Sequence, residues 1–187
     1  MRKVLFPLNQ SIILIALFFL STTYAPAEEP RPSESQVEAA YLYNFGKFVT
    51  WPADRPYSEA FEICILGKDP FGLVLDSTVA GESIGNKKIE VKRLADLQQA
   101  TSCSILFVSS SEESHLATIS DVAQHLSLLT VSTIRHFAER GGTIGLVAQQ
   151  DRIRFEVNLR AADQCHLVLS SELLKVATRV IEAPSGK

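Results

Sequence analysis

The sequence predicts a three-layer α/β domain: a mostly parallel central sheet with helices on both faces and an antiparallel hairpin near the C-terminal end. Three observations lead there. Short apolar runs of strand length, FEICILG (61–67), CSILFVSS (103–110) and SLLTVS (127–132), read as buried strands. They alternate with helical segments, the rhythm of a parallel α/β sheet. Finally, TIGLVAQQ (143–150) and RIRFEVNL (152–159) are joined around Asp151 closely enough to fold back as a hairpin.

The remaining elements follow in order. Residues 1–27 read as a secretory signal peptide, because Arg2 and Lys3 precede an apolar run from Ile12 to Leu20, followed by Ala25-Pro26-Ala27. That run of nine residues falls short of the roughly 20 needed to cross a bilayer. Cleavage after Ala27 is the expectation, leaving a chain outside the cytoplasm with no membrane insertion of its own. Residues 28–33, polar and broken by proline, read as a disordered lead, and residues 34–183 as one domain.

Ser33 and Gln36 have capping-box spacing for a first helix, whose expected inner face is Val37, Tyr41, Phe45, Phe48 and Val49. Pro52 ends it near Trp51. KDPFGLVLDSTV (68–79) predicts a short helix opening around Pro70, and KKIEVKRL (87–94) alternates like a half-exposed strand. A helix is expected over 112–126, and a short one over 134–140 closed by Gly141-Gly142. The last helix is expected over 171–181, with Leu173, Leu174, Val176, Ala177 and Val180 inward.

Charge and motifs exclude more than they assign. The net charge is −3, falling to −5 once Arg2 and Lys3 leave with the signal, and the charges are scattered, which is no footprint for nucleic acid. Gly67-Lys68-Asp69-Pro70 lacks both nucleotide-binding glycine patterns, and no G-x-S-x-G elbow is present. Glu112 and Glu113 stand where a helix start would otherwise attract an anion. His115, His125, His136 and His166 have no metal-ligand spacing, so neither a metal, a cofactor nor an enzyme activity is expected.

Three cysteines in an oxidising compartment leave at least one unpaired. Strand placement favours Cys64 with Cys103; other pairings and three reduced thiols remain as alternatives. A free Cys165 would serve as a small buried apolar residue or bridge two chains in a homodimer. On the hairpin, Arg152, Arg154, Glu156 and Asn158 share one alternating set of positions, a polar face that reads as solvent-exposed or as a docking surface.

The blocks AAYLYNFGKFVTWP, FEICILGKDPFG, SILFVSSSE, LLTVS, a GG turn, RIRFEVNLRAA and SSELLKVA occur in this order from Ala39 to Ala177. In this the sequence resembles the YfiR family of periplasmic proteins. The resemblance implies a periplasmic negative regulator that binds the periplasmic sensor region of an inner-membrane diguanylate cyclase of the YfiN type, limiting cyclic di-GMP synthesis and biofilm formation. It also implies the Cys64–Cys103 bridge, since both match cysteines of the family. A second family bridge is missing here, its positions being Ala138 and Gly145. The expected partner surface is Tyr43 and Trp51, which lie off the first helix's apolar stripe or at its end, with Glu156 and Asn158. The alternative is a small-molecule sensor module using a cleft between Gly67 and Ser111 and acting on another membrane signalling protein.

Overall fold

The computed structural model describes residues 31–53 and 59–182. The expected signal peptide and the first half of the lead, residues 28–30, lie outside the described residues. Helix α1 (Glu34–Phe48) begins as its capping box dictates: Gln36 N donates to Ser33 Oγ at 3.3 Å, and Ser33 N donates to Gln36 Oε1 at 2.7 Å. At Val49 the backbone turns extended and enters β1 (Val49–Thr50) just before Pro52.

The buried face of α1 is Glu38, Ala39, Leu42, Phe45 and Gly46, rotated from the expected aromatic stripe. Small residues set that rotation. A Cβ at Gly46 would lie 3.1 Å from Phe61 and 3.2 Å from Ile84, so the helix presses closest where it has no side chain. Tyr41 sits at the rim, stacked on Phe45 and edge-on to Phe155, with its hydroxyl donating to Ile153 O at 3.1 Å. Phe48, expected inside, is 39% exposed.

The chain continues through β2 (Phe61–Leu66), α2 (Leu73–Val79), β3 (Ser83–Ile84), β4 (Lys87–Leu94) and β5 (Cys103–Val108). After α3 (Leu116–Leu126) come β6 (Leu129–Ser132), β7 (Ile144–Gln149) and β8 (Arg152–Asn158). The final elements are α4 (Leu159–Gln164), β9 (Val168–Leu169), α5 (Ser171–Val176) and β10 (Arg179–Ile181). Eight strands form one sheet in the order β10-β8-β7-β6-β5-β2-β4-β3, parallel except for β7 against β8 and β3 against β4. β1 and β9 form a separate antiparallel ribbon, Val49 opposite Leu169 and Thr50 opposite Val168. The α/β class, the mostly parallel sheet and the hairpin at Asp151 are as the sequence predicts.

β2 and β5 are buried along their whole length, which is why they read as unbroken apolar runs. Two helices differ from expectation. Residues 134–140 form turns, because His136 at φ 58° interrupts helical geometry before Gly141 at φ 100° does. The last helix stops at Val176. Thr178 N and Oγ1 both donate to Phe155 O, and the chain then pairs with β8 as β10, so the open edge of β8 outweighs helical propensity at Val180.

Glu38 is a buried carboxylate on α1, with no hydrogen-bond or ion-pair partner among the described residues. Burial first, then the like charge of Glu34, pushes its carboxyl from 4.5 up to about 7. The folded state therefore holds this proton more tightly than the unfolded chain. Its contribution is fully present below about pH 4.5 and lost as pH rises through about 7. Glu38→Gln is expected to leave stability unchanged at pH 4 and to raise it by about 2 kcal/mol above pH 7, the full linkage value being reduced by partial hydration. Urea unfolding across that range checks it.

Candidate functional site

From β2 the chain passes through α2 to β4 on one side, then through a 3₁₀ helix (Leu97–Ser102) back across to β5 on the other. β2 and β5 are therefore neighbours whose connections leave in opposite directions, and the crevice outside their carboxyl ends is the topological switch point of the sheet.

Serines draw these strand ends together. Ser109 N donates to Leu66 O at 3.0 Å and Ser109 Oγ to Lys68 O at 2.7 Å, while Lys68 N donates to Ser111 Oγ at 3.0 Å. Ser132 Oγ likewise donates to Val108 O at 2.6 Å, joining the end of β6 to β5. These serines cross-link neighbouring loops. Gly67, at φ +86°, permits the close approach: a Cβ there would run into Ser111 Oγ and lie 2.8 Å from Glu112.

On the outer side, Arg93 at the end of β4 grips the opening of α2. Its Nε donates to Asp69 Oδ2 at 3.0 Å, Nη1 to Asp76 Oδ1 at 2.8 Å and Nη2 to Gly72 O at 2.6 Å. That hydrogen bonding holds the Asp76 carboxyl below its ordinary range. Within this frame lies a cavity of about 290 Å³ between Leu66-Gly67, the turn 95–97, and Glu112, His115 and Ile119. His115 Nδ1 is 3.1 Å from Glu112 Oε2.

At the other end of the same strands Cys64 and Cys103 are bridged, with Cα atoms 5.9 Å apart and neither residue exposed. Closing this loop contributes about 4 kcal/mol in the chain-entropy account. The register slips here: Glu62 faces Cys103, Ile63 faces Ile105, and Ser104 is the extra residue of a bulge. Trp51 Nε1 donates to the Ser104 carbonyl at 3.3 Å and its ring meets Phe61 edge-on. Glu62, buried beside the bridge, is 2.7 Å from the Lys92 ammonium and accepts from Ser102 Oγ at 2.6 Å. Glu62, Cys64 and Cys103 place ligating atoms within 4.8 Å of one another, but bridged sulfurs supply no thiolate to a metal.

The four residues expected at a partner surface do not come together. Trp51 serves the bulge. Asn158 is buried: its Nδ2 donates to Ala138 O at 2.7 Å and its Oδ1 caps α4 through Ala161 N at 3.0 Å. Glu156 is half-buried on β8 opposite Arg179, and it points away from α1, since its neighbour Phe155 meets Tyr41 and Phe45 of that helix. Tyr43 is half-buried on α1 with the Lys47 ammonium 3.7 Å from its ring centre, and its hydroxyl donates to Glu82. Cys165 is buried and burial pushes its thiol up to about 11, so an intermolecular bridge would require the core to open. Overlooked in the sequence is the outer side of the β1–β9 ribbon, where Val168 is 67% exposed opposite Thr50 and Ser170 N holds Phe48 O at 2.9 Å, placing exposed Phe48 beside them.

Residues 35–178 match the YfiR/HmsC-like family model. The chain belongs to the YfiR/HmsC-like family. The YfiR/HmsC-like proteins are periplasmic, regulatory and non-enzymatic; they act in cyclic di-GMP signalling and interact with the periplasmic sensor domain of a membrane protein. Among the described residues no helix is long and apolar enough to cross a membrane. A comparison with curated proteins found no match. Among solved structures, a conserved domain protein from Vibrio cholerae O1 biovar El Tor is 14% identical with a TM-score of 0.53, the match covering 79% of this chain and 60% of that one, a likeness of fold. An ABC domain in complex with L-Trp from Streptococcus pneumonia is also 14% identical, with a TM-score of 0.48 over 65% of this chain and 55% of that one.

Two measurements check this geometry. Gly67→Ala is expected to lose roughly 2–4 kcal/mol in urea unfolding, from backbone strain plus displacement of Ser111 and Glu112, whereas Gly72→Ala, with open space around it, loses about 1 kcal/mol from strain alone. Cys165 is expected to be inert to a chromogenic disulfide reagent at pH 8 in the native protein and to react stoichiometrically in denaturant.

Proposed function

We infer that the protein is a negative regulator which binds the periplasmic sensor region of an inner-membrane diguanylate cyclase and holds it inactive, limiting cyclic di-GMP synthesis and biofilm formation. The observation that carries this reading is the family match over residues 35–178. Inhibition by docking needs a surface and no reactive group.

The docking surface we assign is the outer side of the β1–β9 ribbon with the adjoining end of α1: Phe48 and Val168 as apolar anchors, with Lys47, whose ammonium covers the Tyr43 ring, on the next flank of the helix. Large side chains left exposed next to one another on a small domain mark interaction sites. Trp51, Asn158 and Glu156 are left out, the first two because the fold uses them and the third because it lies across the sheet.

Pull-down with the periplasmic domain of a diguanylate cyclase from the same organism, together with cyclic di-GMP levels after deletion, tests the reading. Binding and a rise in cyclic di-GMP are expected; no binding and no rise would refute it. A Phe48→Glu, Val168→Glu double variant is expected to remain folded and to bind at least about tenfold more weakly, losing about 1–2 kcal/mol of stability from the buried part of the Phe48 ring, while Trp51→Ala costs about 3 kcal/mol through its lost packing and indole bond.

A further inference from the structure

The crevice at the switch point is separate from the ribbon, and two carboxylates and one histidine, His115, line it. Asp96 and Glu112 line it from two different segments, the turn after β4 and the turn after β5, and no lysine or arginine lines it. Leu97 and Ile119 provide apolar wall between them. Both carboxylates are held by the fold. Asp96 Oδ1 accepts from Gln98 N at 2.8 Å, leaving Oδ2 without a donor among the described residues. Glu112 Oε1 accepts from Ser111 Oγ at 3.2 Å, with Ser111 itself fixed by Lys68 N, and Glu112 Oε2 lies 3.1 Å from His115 Nδ1, a contact that a bound cation would share or displace.

Charge and spacing narrow the occupant. An anion is disfavoured, because Glu112 and Glu113 occupy the first turn of the segment following β5 and oppose any attraction its backbone offers. A metal ion needs at least three ligand atoms converging on one point. Among the described residues Asp96, Glu112 and His115 do not so converge, the single such group being Glu62, Cys64 and Cys103. What fits is an extended molecule with a positive end and an apolar body, of a size suited to about 290 Å³.

We propose that this crevice is a binding site for a small organic cation, an ammonium carried on an apolar body, with Glu112 and Asp96 taking the charge and Leu97 and Ile119 packing the body. Such a ligand would tie together the loops that follow β2, β4 and β5, an effector site independent of the docking surface. The assignment does not depend on the partner being a cyclase.

Titration calorimetry on the full chain with three probes sharing one body, phenethylamine, phenylacetate and phenethyl alcohol, tests it. Phenethylamine is expected to bind with a Kd of about 1 mM or tighter, and phenylacetate at least about tenfold more weakly. Asp96→Asn keeps the cap at the 3₁₀ helix and Glu112→Gln keeps the side-chain shape; each is expected to weaken phenethylamine about fivefold or more without lowering Tm. Phenylacetate binding as tightly as the amine, no heat from the amine, or wild-type affinity in both variants would overturn the proposal. Should Glu112→Gln fail to fold, Asp96→Asn decides alone, unchanged affinity counting against the site.

Discussion

The central strands β2 and β5 are locked together at both ends, and the sheet is laid down outward from that pair. At one end the Cys64–Cys103 bridge joins them across 39 residues of chain, directly beside the bulge that shifts their register. At the other, Gly67 lets the two exit loops touch, and Ser109 and Ser111 bond across the gap. A pair fixed so firmly leaves little freedom to its neighbours. β4 and β6 add in parallel on either side, and each must place its loop at the same edge of the sheet.

Residues that look like a site in the sequence are here mostly servants of this frame. Trp51 resembles a surface aromatic because it follows the helix and precedes a proline, yet its indole donates to the carbonyl of the bulge residue Ser104. Asn158 falls on the polar set of an alternating strand, but the strand ends there and the side chain turns inward to cap α4. The proposed docking ribbon is short: its inner residues, Val49 and Leu169, pack on the core while Thr50 and Val168 face outward.

The sheet was legible because its central strands are buried on both faces and so read as continuous apolar runs, and because a capping box marks the start of α1 independently of packing. Less could be read where tertiary contacts decide. The inward face of α1 follows Ala39 and Gly46, small residues that carry little hydrophobic signal. Val180 has a helix-compatible spacing, and only the unpaired edge of β8 makes it a strand residue. Family blocks were legible as a series, whereas the crevice carboxylates Asp96 and Glu112 stand 16 positions apart with nothing local to connect them.

The α1 helix packs on α2 and β5 but also reaches β8 and α5, elements from the far end of the domain, and the Tyr41 hydroxyl meets a carbonyl 112 residues away. β1 likewise has no partner until β9 exists. Such contacts give the fold a high contact order and make closure slow. In a chain delivered N-terminus first, α1 can settle on β2, α2 and β5 early, but its flank at Tyr41 and Phe45 stays uncovered until Phe155 of β8 arrives. The last steps of closure are thus confined to one side of the domain, where the ribbon and the β8 edge are completed only when the C-terminal elements are present.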